Sequence, residues 1–355
     1  MGLFKEFMLI SIGKRSAFTR VPSDVEWRML YKEAEKQALI GVCFEAIERL
    51  PKEQRPPIEL LMTWYGMVEC IRKRNIRVSE CAAEVTHLFA AGGFRSVVLK
   101  GQGVALLYPK SDLRTPGDVD IWVDGERNEV IAFMSSNGWK VGRSVIHHTD
   151  VEIFSDVSVE VHHYPSYAYD PVRWCKYCKW FKKQSAKQMT FMDKSVGFAH
   201  PSIEFDVVYS LLHIYRHVFH EGIGLRQLLD YYYILSHTST SVRSNSMKTL
   251  QWFGLGRFVA AVMYVERIIF ELDEEYLLCQ PDTVAGQHLL DEIMTTGNFG
   301  QYNKGIKVAR MNGVVGLYIH NVRRLFEMVR FYPSEVLWAP IWKPLHFVWR
   351  KVKGY

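Results

Sequence analysis

Helical periodicity governs both ends of this 355-residue chain and fails between residues 95 and 162, where short β-branched and alternating runs take over. Arg95-Ser-Val-Val-Leu99 is the first of them and ends at Lys100-Gly101. Gln102 to Tyr108 reads as one or two helical turns, stopped by Pro109. Asp118-Val-Asp-Ile-Trp-Val123 alternates as a strand, and Glu126 to Asn137 reads as a helix closed by Gly138. Val151 to Phe154 and Val157 to His162 alternate again. Strand, helix, strand, helix and further strands predict an α+β fold, with a small mixed-sheet core set between helical regions.

The flanks are legible in the same way. Ser23-Asp24 caps an apolar-periodic run, Pro51 and Pro56-Pro57 break it, and a long helix or two closes at Gly92-Gly93. From Ile203 the helical pattern holds to the end, with glycine-rich joints at 222–224, 254–256, 297–300 and 313–316. The expected organisation is a helical region 1–93, a core 94–200 and a helical region 201–355.

Composition narrows the class. Hydrophobic residues make up 48% and charged residues 23%, which excludes a disordered chain, a collagen and a disulfide mini-scaffold. No apolar run reaches the 18 residues or so that a spanning helix needs. The N-terminus lacks a signal-peptide pattern, and Glu6 stands where myristoylation wants Ser or Thr, so the cytoplasm is the expected compartment. Cys175-x-x-Cys178 is the one close cysteine pair; without a second pair it predicts reduced thiols in a surface segment rather than zinc. The net charge of +6 is concentrated at the C-terminus, in Arg323, Arg324, Arg330, Lys343, Arg350, Lys351 and Lys353 against Glu327 and Glu335. Trp338, Trp342, Phe347 and Trp349 lie among them. That mixture suits a weak contact with an anionic membrane, or a helix end packing its aromatics on the body; no specific nucleic-acid binding is expected.

The chemistry gathers on the strands. Asp118 and Asp120, two apart, send both carboxylates to one face while Val119, Ile121 and Val123 take the other. Ser158, Glu160 and His162 do the same on a later strand, although a half-exposed strand carries alternating polar residues in any case. Three carboxylates on rigid strands suit Mg²⁺, a hard ion that prefers oxygen and bridges to phosphates. Lys100-Gly101 follows the first strand where a backbone and a point charge can meet phosphate, and Arg114 precedes the aspartates within reach of the same group.

Taken together, LKGQGVALLYP, LRTPGDVDIWV, VEVHHYP and the later HVFHEGIGLRQLLDYY resemble a bacterial group of uncharacterised nucleotidyltransferases, within the DNA-polymerase-beta-like superfamily. The resemblance runs from about Leu99 to Asp230. It implies transfer of a nucleoside monophosphate from an NTP to an unidentified acceptor, a sugar or its phosphate, a small molecule or a protein, with release of pyrophosphate. It implies two Mg²⁺ (or Mn²⁺) ions on Asp118 and Asp120, with Glu160 holding the catalytic ion and orienting the acceptor. His162 is expected to orient a carboxylate, and Arg226 and Asp230, at helical i, i+4 spacing, to pair or to face a substrate. Lys-Gly stands where the superfamily carries Gly-Ser or Gly-Gly, so triphosphate binding departs from its pattern. His213, His217 and His220 share one helical face and are expected to pack or touch substrate. Two rival readings are a silent module of the same fold that docks through its C-terminus, and a DxD glycosyltransferase, which would leave Lys100-Gly101 and Glu160 without a role.

Overall fold

A computed structural model describes residues 2–189, 196–220, 222–302, 313, 316, 323, 326 and 328–353. Four helices come first: α1 (Gly2–Ser11), α2 (Asp24–Lys36), α3 (Ile40–Arg49) and α4 (Ile58–Ala91). Ser23 caps α2 as expected, its hydroxyl accepting from the Glu26 N–H in a reciprocal capping box. The 34 residues of α4 serve two cores. Trp64, Val68 and Ile71 pack among the helices, whereas Val78, Cys81, Ala82, Val85 and Phe89 lie against the sheet.

The sheet follows: β1 (Arg95–Leu99), the short helix α5 (Gly101–Ala105), β2 (Val119–Asp124), α6 (Arg127–Ser136), β3 (Lys140–Ser144), β4 (His148–Glu152) and β5 (Val159–His162). Its order is β1-β2-β5-β4-β3, with β2 and β5 parallel and the other pairs antiparallel. One face is apolar: Val119, Ile121, Val123, Val151, Val159 and Val161 meet α4 and α6. The other carries Asp120, Trp122 and His162, and Trp122 stacks on Phe205 at 5.7 Å. The fold is α+β, a mixed sheet flanked by helices.

Two details differ from the sequence expectation. β3 was not anticipated, because only Ser144 of its residues is buried and the edge strand shows no apolar alternation. β4 covers His148–Glu152 rather than 151–154, since His148 and Asp150 occupy its cleft-facing positions. Cys175 and Cys178 lie on a helix, α7 (Pro171–Gln188), capped by Asp170 and buried through Tyr177, Trp180 and Phe181.

Among the described residues the remaining helices are α8 (Ile203–His220), α9 (Leu225–Ser236), α10 (Thr240–Trp252), α11 (Gly256–Phe270), α12 (Thr283–Thr296) and α13 (Pro333–Lys353). Among the described residues no helix is long and apolar enough to cross a membrane. Glu221, Arg324, Glu327, residues 314 and 315 and the side chain of His220 lie outside the described residues.

Candidate active site

The register of β2 and β5 sets Asp120 directly beside Glu160, with Leu99 of β1 on one flank and Asp150 of β4 on the other. Asp118 precedes β2 by one residue. Oxygens of Asp118, Asp120 and Glu160 come within 4.8 Å of one another, so the three carboxylates that the sequence singles out do converge. An all-oxygen set of this kind fits a hard divalent ion such as Mg²⁺ or Mn²⁺. A second group within the same reach, His148, Glu160 and His162, shares Glu160 but offers nitrogen, which Mg²⁺ does not favour.

Asp120 is almost wholly buried, and two cations balance it. Lys100 Nζ lies 2.8 Å from Oδ2, and His162 Nε2 donates to Oδ1 at 2.8 Å. Burial alone would push the Asp120 carboxyl up, but Lys100 and His162 outweigh it and hold it below the ordinary range. Burial likewise opposes ionisation of Glu160, yet the hydrogen bond from His162 and the nearby His148 bring it to about 2. For His162 burial disfavours the proton, and the bonds to Asp120 and Glu160 overcome that, lifting it to about 9. Its other nitrogen, Nδ1, faces the Tyr164 carbonyl at 3.3 Å, so both ring nitrogens meet acceptors. A divalent ion on Asp120 would compete with Lys100 for Oδ2.

Lys100 is held in an unusual backbone state, φ 45° and ψ −146°, followed by Gly101 at φ 47°. Only glycine adopts the first of these freely. The turn puts the ammonium over the carboxylates and 3.4 Å from His213 Nε2, a ring that burial keeps neutral and able to accept.

Arg114, Arg226 and Asp230 part company with the expectation. Asp230 does not pair with Arg226 one helical turn away; it takes Arg114 in two bonds, Nε–Oδ1 at 2.7 Å and Nη2–Oδ2 at 2.8 Å, and accepts from the Tyr108 hydroxyl at 2.7 Å. Arg114 is thereby engaged in a buried pair. Arg226 instead donates to the Thr115 carbonyl at 2.8 Å and lies against the Phe299 ring, with Nε buried and without a hydrogen-bond partner among the described residues. It borders a narrow annexe of about 40 Å³, together with Gly101, Gly117, Asp118 and Asp120.

The main cleft, about 790 Å³, is lined by the same Asp118 and Asp120 together with Glu160. His213 and His217 line it from α8, as their shared helical face anticipates. Sequence reasoning missed His147, His148, Asp150, Arg216 and Tyr167, which also line it. The signals available were the His147-His148 doublet at the head of β4 and the position of Arg216 one turn beyond His213. The C-terminal residues Trp342, Lys343, His346 and Arg350 form a wall of the cleft. Outward, Leu337, Ile341, Leu345, Val348 and Val352 of the same helix stand exposed. Cys175 and Cys178 belong to no candidate metal group among the described residues.

A mixed sheet that presents three converging carboxylates, with a lysine, at the floor of an open cleft defines a candidate phosphoryl-handling centre. The chain belongs to the uncharacterised nucleotidyltransferase family, whose model matches residues 23–271. It is also similar to a solved structure titled an antigenic nucleotidyltransferase-like protein from Paracoccidioides brasiliensis. That similarity has a TM-score of 0.37 at 11% identity, over 59% of this chain and 96% of that one. No curated protein matches.

Proposed function

We propose that this chain is a divalent-metal-dependent nucleotidyltransferase that moves a nucleoside monophosphate from an NTP to an acceptor hydroxyl and releases pyrophosphate. The observation that carries the reading is the juxtaposition of Asp120 and Glu160 across paired strands with Asp118 beside them. Asp118, Asp120 and Glu160 would hold Mg²⁺ or Mn²⁺, two ions in the full form of the proposal, which supply charge neutralisation at the transferred phosphoryl group and its leaving oxygen. His162 fixes the orientation of Asp120 and Glu160 through one imidazole edge. Lys100, the Gly101 backbone and Arg226 stand beside Asp118 and Asp120, where they would meet the triphosphate. Arg114 and Asp230 hold the loop before β2 against α9 and so position Asp118 at a distance. In phosphoryl transfer, holding groups in place and offsetting charge is most of what a protein contributes.

The test is a panel of four NTPs labelled at the α-phosphate, incubated with the protein, cell extract and Mg²⁺ or Mn²⁺. One label is expected to become attached to an acceptor with release of pyrophosphate, and Asp118→Asn is expected to abolish both while the protein still unfolds cooperatively. Absence of transfer from all four NTPs under both metals refutes the reading. A second reading, a silent module that docks through its C-terminus, draws on the exposed row from Leu337 to Val352. It predicts intact docking in Asp118→Asn and no pyrophosphate from any NTP.

A further inference from the structure

We propose that the cleft wall formed by α13, β3 and α8 is the acceptor subsite, and that it takes a small phosphate-bearing molecule. This rests on the nucleotidyl-transfer reading and names its second substrate by class. Four cations from three elements line that wall: Arg143 of β3, Arg216 of α8, and Lys343 and Arg350 of α13. Among the described residues no carboxylate lies within 4.0 Å of any of them. Two of them lie against rings. Arg216 Nη1 donates to His147 Nε2 at 2.6 Å, and its guanidinium lies 4.7 Å from the centre of the Tyr167 ring. Lys343 Nζ lies 5.9 Å from the Tyr169 ring, and Arg350 Nε is buried without a hydrogen-bond partner among the described residues. Such contacts position cations without cancelling their charge, and like charges gathered around one cavity favour an anion between them.

The wall is firmly built. Tyr167, Trp342, His346 and Trp349 stack face to face in a column, with successive centroids 4.9, 4.5 and 5.4 Å apart. Arg216 covers the Tyr167 end and Arg127 the Trp349 end, 5.5 Å from that ring. The Ile146 N–H donates to His346 Nε2 at 3.2 Å. Because the rings occupy one another's faces, the column anchors α13 to the sheet rather than receiving a ligand ring. Arg143, Lys343 and Arg350 line the cleft beside this column.

The position assigns the role. Asp118, Asp120 and Lys100 line both the annexe that holds Arg226 and the main cleft that holds the cationic wall. An anionic acceptor held on the wall would thus face the same carboxylates as the triphosphate. A cleft of about 790 Å³ is of small-ligand size, which favours a small phosphorylated acceptor over a nucleic acid.

Inorganic phosphate is the probe, titrated calorimetrically at low ionic strength into the full chain saturated with Ca²⁺ and the NTP that binds best. Wild type is expected to bind one further phosphate. Arg143→Gln/Lys343→Gln, and independently Arg350→Gln, are expected to weaken it about tenfold or more and to leave nucleotide affinity within about twofold. Unfolding midpoints are compared first, so that either well-folded variant suffices. Loss of nucleotide affinity with phosphate binding intact overturns the proposal, because the wall would then serve the triphosphate. Tight binding of a single-stranded RNA that is lost in the same variants, with phosphate unaffected, overturns the small acceptor. Should no nucleotide bind at all, the functional reading fails by itself; the phosphate titration of nucleotide-free protein still decides whether this wall is an anion site.

Discussion

Arg114 and Asp230, 116 residues apart, close a buried two-bond ion pair that ties the loop before β2 to helix α9. Burial opposes the charge on Arg114, but Asp230 outweighs it and keeps the guanidinium ionised. A buried pair of this kind contributes little net stability compared with apolar residues, yet losing one partner strands the other. Asp230→Asn is therefore expected to cost about 3–5 kcal/mol in chemical denaturation, whereas Arg114→Met/Asp230→Leu should recover most of that loss. A double variant no better than the single one would mean that the pair is not what Asp230 supports.

Asp118 and Asp120 look equivalent in the sequence and differ in their surroundings. Asp120 is 2% exposed and balances Lys100 and His162, whereas Asp118 stands partly open just before the strand. Asp120→Asn leaves the partly buried Lys100 and the buried His162 short of a counter-charge and is expected to cost about 3 kcal/mol or more. Asp118→Asn is expected to stay within about 0.5 kcal/mol of wild type. Both should abolish divalent-dependent NTP turnover, so the denaturation curves, not the activities, separate them. Equal destabilisation by the two changes would contradict the ion network described for Asp120.

What could be read in advance follows a physical line. Period-two alternation in Asp118–Val123 and Val157–His162 located β2, β5 and the shared face of their carboxylates, because one face of each strand must be apolar to meet α4 and α6. The same signal failed on β4, where His148 and Asp150 replace apolar residues on the cleft side, and on β3, which has little to bury at the sheet edge. β4 hides because the cleft takes its inward positions, and β3 because the edge buries little. Pairing was less legible still. Local spacing offered Arg226 to Asp230, and only the folded chain brings Arg114 there first. Of the two readings of the aromatic C-terminus, packing on the body holds for Trp342 and Trp349, and Trp342 lines the cleft.

Lys100 supplies a test of stored backbone strain. Its φ of 45° with ψ −146° lies in a region that costs a residue with a Cβ about 1–3 kcal/mol. Lys100→Ala and Lys100→Gly both delete the ammonium and its bond to Asp120, so the loss of charge cancels between them. The glycine variant is expected to be the more stable by about 1–3 kcal/mol if the native turn is kept. Equal stabilities would show that the turn relaxes once the lysine is gone.

Glu266, on α11, is fully buried, and neither carboxylate oxygen has a hydrogen-bond partner among the described residues. Burial raises its pKa well above the usual carboxylate range, so the folded protein keeps a proton that the unfolded chain gives up above about pH 4.3. The native state then binds more protons than the unfolded one, and by linkage stability falls as pH rises from that point until the native carboxyl itself ionises. Glu266→Gln has no such proton to lose. The stability of the glutamine variant relative to wild type should therefore grow by about 1.4 kcal/mol per pH unit over this window, measured by urea denaturation between about pH 5 and 7. Glu266→Met, which removes the polar atoms altogether, is expected to add a further 1 kcal/mol or so at neutral pH. Parallel pH profiles for wild type and Glu266→Gln would mean that the glutamate is ionised in the fold and has found a cation or water to hold it.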